Sequence, residues 1–300
     1  MGAGHPECPE RLGAIEDRLL ITGVADALER REPNPASLSE LELAHGRMHI
    51  AALRGLSDEL RDDISAGGPN HAQIDPDTAL NVHTWDAALL SAGAAIDATD
   101  AVMAGELENA FCATRPPGHH ACRDRAMGFC FFNNVAVAAK YALQRHGLQR
   151  VAIIDFDVHH GNGTEDIVAG DERILMCSFY QHPFYPEWDH AQADNLVNLP
   201  VPAYTQGAAV RELVESHWLP RLETHQPQMI FISAGFDAHR EDDMGQMGLV
   251  EQDYAWLTER IKAVADRHAQ GRIVSVLEGG YNLSALARSV EAHLRVLAQV

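Results

Sequence analysis

Short runs of wholly apolar residues recur along the chain, and each is followed at once by ionisable or small polar residues. Val151-Ala152-Ile153-Ile154 runs into Asp155-Phe156-Asp157-Val158-His159-His160-Gly161, and Met229-Ile230-Phe231-Ile232 into Ser233-Ala234-Gly235-Phe236-Asp237. Runs that are apolar at every position mark strands covered on both faces. Such strands are predicted at 110–114, 151–157, 174–179, 229–233 and 273–277. Apolar residues return at helical spacing over about 133–146, 207–224, 252–269 and 283–298, between or after the strands. Upstream, residues 10–30 read as a helix stopped by Arg31-Glu32-Pro33-Asn34-Pro35, and residues 39–66 as two short helices around His45-Gly46-Arg47. Gly67-Gly68-Pro69-Asn70 to Asp75-Pro76-Asp77 is the one long turn-rich loop, and an Ala-rich helix from Trp85 to Ala104 ends at Gly105. The alternation predicts an α/β fold, a single domain over residues 1–300 with a mostly parallel central β-sheet flanked by helices.

Composition narrows the picture. An apolar fraction of 46% over 300 residues is ample for one buried core. No stretch approaches the ~18 consecutive apolar residues of a membrane helix, so a soluble protein without a membrane partner is expected. Met1-Gly2-Ala3-Gly4-His5-Pro6 has neither a basic nor an apolar leader segment, and nothing in it suggests secretion. Five cysteines, an odd number with no CxxC pair, read as reduced thiols in a cytoplasm, each a small buried hydrophobe. The net charge of −20 opposes a phosphate backbone, which argues against nucleic acid; it favours cations, including metal ions and ammonium-bearing substrates.

In open parallel sheets, ligands bind beyond the carboxyl ends of the strands. Five segments put chemistry there: Arg115-Pro116-Pro117-Gly118-His119-His120, the run from Asp155 to Gly161, Ser178, the run from Ser233 to Asp237, and Glu278-Gly279-Gly280-Tyr281. Asp157 and His159, two apart, share a side if the chain stays extended. With Asp237 they supply one nitrogen and two carboxylates, and three protein ligands with an open position is the pattern of a catalytic zinc site. Taken singly, each of the three reads more simply as a loop cap or a core histidine; together they favour the metal. Adjacent His119 and His120 follow a loop stiffened by two prolines, where a neutral imidazole can take a proton from a metal-activated water and return it to a leaving amine. Asp155 is placed to orient one of these imidazoles, and Asn162 to accept from the other. Gly279-Gly280 lets the backbone approach a ligand closely and swings the Tyr281 phenol inward, as a neutral donor to an oxyanion.

Gly4-His5-Pro6-Glu7, Arg115-Pro116-Pro117-Gly118-His119-His120, Asp155-Phe156-Asp157-Val158-His159-His160-Gly161-Asn162-Gly163-Thr164, Ser233-Ala234-Gly235-Phe236-Asp237 and Leu277-Glu278-Gly279-Gly280-Tyr281 together resemble the histone deacetylase superfamily of zinc-dependent amidohydrolases. The resemblance covers essentially residues 4–298 and looks closest to bacterial class II-like deacetylases and acetylpolyamine amidohydrolases. It implies the arginase-deacetylase fold, one catalytic Zn2+ on Asp157, His159 and Asp237, His120 as general base and acid, His119 as its electrostatic partner, and Tyr281 polarising the scissile carbonyl. It further implies a K+ ion held by the side chains of Asp155 and Asp157, the Ser178 hydroxyl, and the carbonyls of His159 and Phe179. Phe129, in Gly128-Phe129-Cys130, and Tyr185, in Phe184-Tyr185-Pro186, match the walls of an acyl-lysine channel that Gly128, Gly280 and Met244 also border. Arg11 falls where the family keeps an internal-channel arginine. The implied substrates are acetylated lysine, an acetylated polyamine or a similar acylated amine, and relatives often form dimers or tetramers, so a homo-oligomer is compatible.

Three departures stand out. Asn162 replaces the acid that many eukaryotic class I members place behind the second histidine, which implies a weaker resting base at His120. The chain begins three residues before Gly4-His5-Pro6-Glu7, where relatives usually carry an edge strand and a rim loop. Met244 occupies the region where polyamine-selective relatives place a gatekeeping glutamate, with Glu241 and Asp242 close by. A binuclear manganese ureohydrolase of the same fold would need a further acid at Gly161 and a second carboxylate beside Asp237, and neither is present. An inactive acyl-binding relative would be expected to lack a ligand or Tyr281, and all are present.

Overall fold

Among the described residues six strands form one parallel sheet, in the spatial order Asn109–Cys112, Ile273–Leu277, Ile230–Ala234, Val151–Asp155, Ile174–Gln181 and Leu196–Val201. The computed structural model describes every residue except Ala3 and His190. Its elements are α1 (Glu10–Ile21), α2 (Leu38–Leu41), α3 (Arg47–Ser65), β1 (His71–Gln73), β2 (Ala79–Asn81), α4 (Thr84–Met103), β3 (Asn109–Cys112), α5 (Asn134–Arg145), β4 (Val151–Asp155) and α6 (Asn162–Val168). They continue with β5 (Ile174–Gln181), β6 (Leu196–Val201), α7 (Gly207–Leu213), α8 (Leu219–His225), β7 (Ile230–Ala234), α9 (Glu251–His268), β8 (Ile273–Leu277) and α10 (Leu283–Ala298).

The wholly apolar strands are buried on both faces, as their pattern requires. Along β4, Val151 and Ile153 join one core with residues of α4 and α5, while Ala152 and Ile154 join another with residues of α9 and α10. Parallel pairing then sets the site. Asp155 at the end of β4 is in register with Ser178 of β5 on one side and Ser233 of β7 on the other, and Ala234 is in register with Leu277 of β8. The segments carrying the candidate chemistry are thereby gathered at one edge of the sheet.

Several elements differ from the sequence reading. The helix expected over 10–30 ends at Ile21, because the chain turns at Gly23 with φ +76°, and only a 3-10 turn (Val24–Ala27) follows. The two short helices expected in 39–66 are one turn, α2, and one long helix, α3; the break lies at His45-Gly46, where Gly46 N–H donates to the Arg123 carbonyl. The long loop after α3 carries β1, which pairs antiparallel with β2, and at three residues each the two strands are too short to show periodicity. Edge strand β6 escaped notice because Asn198 and Pro200 interrupt its apolar pattern, and an edge is where proline is tolerated. Helix α6 is polar and only seven residues long. Between α7 and α8 the helix passes through a π turn, Val214–Trp218, since Pro220 has no N–H to give the Ser216 carbonyl. Among the described residues no helix is long and apolar enough to cross a membrane.

Candidate active site

Strand β4 stops at Asp155, so Asp157 and His159 lie in a bent loop and not on the extended continuation expected over 151–157. They converge all the same. His159 N–H donates to Asp157 Oδ1 (2.9 Å), Asp157 N–H to Asp155 Oδ1 (3.1 Å), and Val158 N–H to Asp237 Oδ1 (3.0 Å). One ligand atom from each of Asp157, His159 and Asp237 lies within 4.8 Å of the others, and all three residues are buried.

This trio has the properties of a cation site. Asp157 Oδ1 and Asp237 Oδ2 stand 3.1 and 3.3 Å from His159 Nδ1, yet Asp237 Oδ2 is buried without a properly formed hydrogen bond. Burial, and then the charge of Asp157, push the Asp237 carboxyl up to about 7. Burial acts the same way on Asp157 but is outweighed by His119 and His159, which hold it below the usual carboxylate range. His159 opposes its own burial through Asp157 and Asp237 and titrates at about 10. Without a metal, the imidazolium is the positive charge that two buried acids demand. A divalent cation with borderline-soft preference fits this donor set.

His119 and His120 lie beside the trio with ring centroids 4.0 Å apart. Their hydrogen bonds separate their roles. His119 Nδ1 is 3.0 Å from Asp155 Oδ2, and its Nε2 is 3.8 Å from Asp157 Oδ2; burial lowers its pKa, but Asp157 and Asp155 more than reverse this and hold it well above the ordinary value. His120 Nδ1 is 2.7 Å from Asn162 Oδ1, and burial, then His119 and His159, push its pKa well below the ordinary value. The pair therefore offers one charged and one neutral imidazole. Asp155 and Asn162 each sit behind one ring.

Tyr281 follows Gly280, whose φ of +118° is a conformation side chains rarely adopt. Arg11 Nε–H donates to the Gly280 carbonyl at 2.7 Å, and the guanidinium lies 4.9 Å over the Tyr281 ring. Burial keeps the phenol protonated, well above its ordinary pKa. Phe129 stands edge-on to Tyr281 (5.9 Å), and Tyr185 edge-on to both His120 (5.2 Å) and His159 (6.0 Å), so both expected channel walls border the cluster. Gly128 lies against His120, where a Cβ would overlap the imidazole. Met244 is half-buried, its N–H given to Asp242 Oδ1 at 3.0 Å. Ser178 lies inside β5 beside Asp155, its Oγ 3.4 Å from the Phe179 carbonyl.

Three residues acquire a place that sequence reasoning did not give them. Phe184 stacks on His159 at 5.4 Å and 14°, a contact for which its place in Phe184-Tyr185-Pro186 was the only signal. Glu278 Oε2 accepts N–H from Gly118 (2.6 Å) and His119 (3.1 Å), while Oε1 accepts the Ser233 hydroxyl, so one carboxylate seats the histidine loop. Asp242, near the expected gatekeeper position, is buried and faces the Tyr281 backbone, and Glu241 pairs with Arg288 at 2.8 Å.

The chain resembles known proteins along nearly its whole length. The model of the histone deacetylase domain matches residues 5–297. A histone deacetylase-like amidohydrolase of Pseudomonas aeruginosa is 39% identical over 289 residues, covering 93% of this chain and 73% of that protein. The polyamine deacetylase HDAC10 of Mus musculus is 39% identical over 299 residues, covering 95% of this chain and 43% of that protein. The crystal structure of the HDA15 HD domain superposes with a TM-score of 0.91 at 32% identity, over 100% of this chain and 85% of that one.

Proposed function

The chain belongs to the histone deacetylase family, and on that premise we propose that it is a zinc-dependent deacetylase hydrolysing the acyl amide of an acetyl-lysine side chain or a similar acylated amine. The observation that carries this reading is a neutral His120 set beside a buried Asp157, His159 and Asp237 trio that calls for a cation. Zinc held by those three residues would polarise the acyl carbonyl and acidify a water. His120 takes a proton from the attacking water as the new C–O bond forms. The Tyr281 hydroxyl donates to the carbonyl oxygen as negative charge gathers there. His120 then gives its proton to the amine nitrogen as the C–N bond breaks, leaving acetate and a free amine. Asp155 orients His119, whose positive charge balances the buried acids. Asp155, Asp157, Ser178, and the His159 and Phe179 carbonyls would hold the proposed K+ ion, which would offset the charge of the buried carboxylates.

Between substrates, Met244 and the occupied Glu241 and Asp242 favour acetyl-lysine, since none of them offers a free carboxylate to a polyamine. The acidic surface and the mouse polyamine deacetylase keep an acetylpolyamine as the second reading. Acetate release from an acetyl-lysine peptide and from acetylputrescine, measured side by side on zinc-loaded protein, separates them. Tyr281→Phe should slow turnover by ~100-fold or more with zinc content unchanged, as loss of an oxyanion donor does. Equal rates for the two proteins would remove the role assigned to Tyr281.

A further inference from the structure

A single carboxylate ties the Tyr281 loop to the wall segment at Met244. Asp242 Oδ2 accepts N–H from Tyr281 (2.6 Å) and from Asn282 (2.9 Å), and Oδ1 accepts N–H from Met244 (3.0 Å). Asp242 is 4% exposed. Its own N–H donates to the His239 carbonyl (2.9 Å), within a loop closed by Arg240 N–H to the Leu249 carbonyl (2.9 Å) and Leu249 N–H to the Ala238 carbonyl (3.1 Å). That loop starts at the candidate ligand Asp237, so the carboxylate stands on a base fixed to the metal trio.

The loop that carries Tyr281 has little stiffness of its own. Gly279 and Gly280 are the residues with the widest torsional freedom. Fixed groups therefore hold them: Gly279 N–H donates to Asp157 Oδ2 (2.9 Å), Phe236 N–H to the Gly279 carbonyl (3.0 Å), and Arg11 holds the Gly280 carbonyl. Those contacts end one residue short of Tyr281. The Tyr281 and Asn282 amides precede α10, whose Asn282 cap accepts from Ala285 N–H and leaves both of them to other partners.

We infer that Asp242 is a positioning residue for Tyr281: it fixes the tyrosine's own amide and, through the rigid plane of one carboxylate, makes the phenol's place depend on the wall segment at Met244. The inference rests on the deacetylase reading. A hydroxyl displaced by about 1 Å from a developing oxyanion loses most of its effect, of order 100-fold in rate.

The test is a double-mutant cycle on zinc-loaded protein with an acetyl-lysine peptide. Asp242→Asn keeps the shape but has one acceptor oxygen, so its NH2 must face N–H on one side. Asp242→Asn should lower kcat by ~10- to 100-fold with KM changed less than about threefold. In the Tyr281→Phe background the same substitution should lower kcat by less than about threefold, because the group it positions is already gone. Equal factors in both backgrounds, or a change confined to KM, would overturn the inference. Should Asp242→Asn not fold, Asp242→Glu moves the charge by one methylene and enters the same cycle with the same two outcomes. A Tyr281→Phe variant as fast as wild type would also overturn it, by removing the role of the group that Asp242 positions, whereas a wild-type protein that releases no acetate would instead remove the deacetylase reading beneath it, so the two failures are distinguishable.

Discussion

Asn162 Oδ1 lies 2.7 Å from His120 Nδ1 and sets the tautomer of that imidazole. The amide cannot turn the other way at equal cost: its Nδ2 faces the sulfurs of Cys122 (3.5 Å) and Met127 (3.4 Å), which accept weakly and donate little. Nδ1 therefore carries the hydrogen, and Nε2 keeps the lone pair a base needs. Asn162→Leu should lower kcat/KM by ~10- to 100-fold, as loss of an orienting partner does, while Asn162→Asp, which keeps an acceptor, should retain far more. Steady-state kinetics of the three proteins decide; an equal loss in both variants would mean the acceptor is irrelevant.

Zinc should stabilise the fold through the trio. At about a hundredfold excess over its dissociation constant a ligand adds roughly 2.7 kcal/mol, and a chain of this size gains about 2 °C per kcal/mol. A rise in Tm of roughly 5 °C, reversed by a chelator, is expected in a thermal scan. Asp237→Asn removes one buried carboxylate and should abolish most of the rise. The same rise in both proteins would place the ion elsewhere.

Gly128 tests how tightly His120 is packed. Its φ of +56° lies in the left-handed region, and a Cβ would overlap the His120 ring. Gly128→Ala should therefore displace the imidazole and lower kcat by ~100-fold, the cost of about 1 Å of misplacement. The zinc-dependent rise in Tm should survive, since Gly128 touches none of the three proposed ligands in the way it touches His120. Unchanged kcat would show that the ring has room to move.

Much of this was legible because two signals reinforced each other. Strands apolar on both faces predicted the parallel sheet, and a parallel sheet delivers whatever follows its strands to one edge. Asp157, His159, Asp237, His119, His120 and Tyr281 could therefore be proposed as neighbours at that edge without exact boundaries, and they do lie together although β4 ends two residues early and Asp157 sits in a bend. What stayed hidden has no local signature. Strand β6 carries a proline, and β1 and β2 are three residues each. The contacts of Glu278 with Gly118, and of Asp242 with Tyr281, join residues 160 and 39 positions apart, and only the folded chain reveals them. Periodicity speaks to which face is buried, not to which backbone amide a carboxylate will meet.

His293 should make the fold acid-sensitive. It is wholly buried on α10, with Nδ1 2.7 Å from the Thr258 hydroxyl and Nε2 3.0 Å from the Ser275 hydroxyl. The Thr258 hydroxyl donates its one hydrogen to the Tyr254 carbonyl (2.6 Å), so Nδ1 must be the donor to Thr258, and Nε2 accepts from Ser275. Both nitrogens are used in the neutral form, and among the described residues no carboxylate pairs with the ring. Burial pushes its pKa from 6.5 to about 3. Below pH 6.5 the unfolded chain takes up a proton here that the folded chain refuses until about pH 3. The stabilisation is complete above pH 6.5 and is lost as pH falls toward 3, by up to ~1.4 kcal/mol per pH unit. His45, also pushed to about 3 by burial and then by His49, adds to the same slope. His293→Gln keeps a donor and an acceptor but cannot titrate. It should be less stable than wild type at pH 7, yet lose roughly 2 kcal/mol less between pH 6.5 and pH 5. Urea unfolding of both proteins at the two pH values measures the difference, and parallel losses would show that His293 does not set the acid limb.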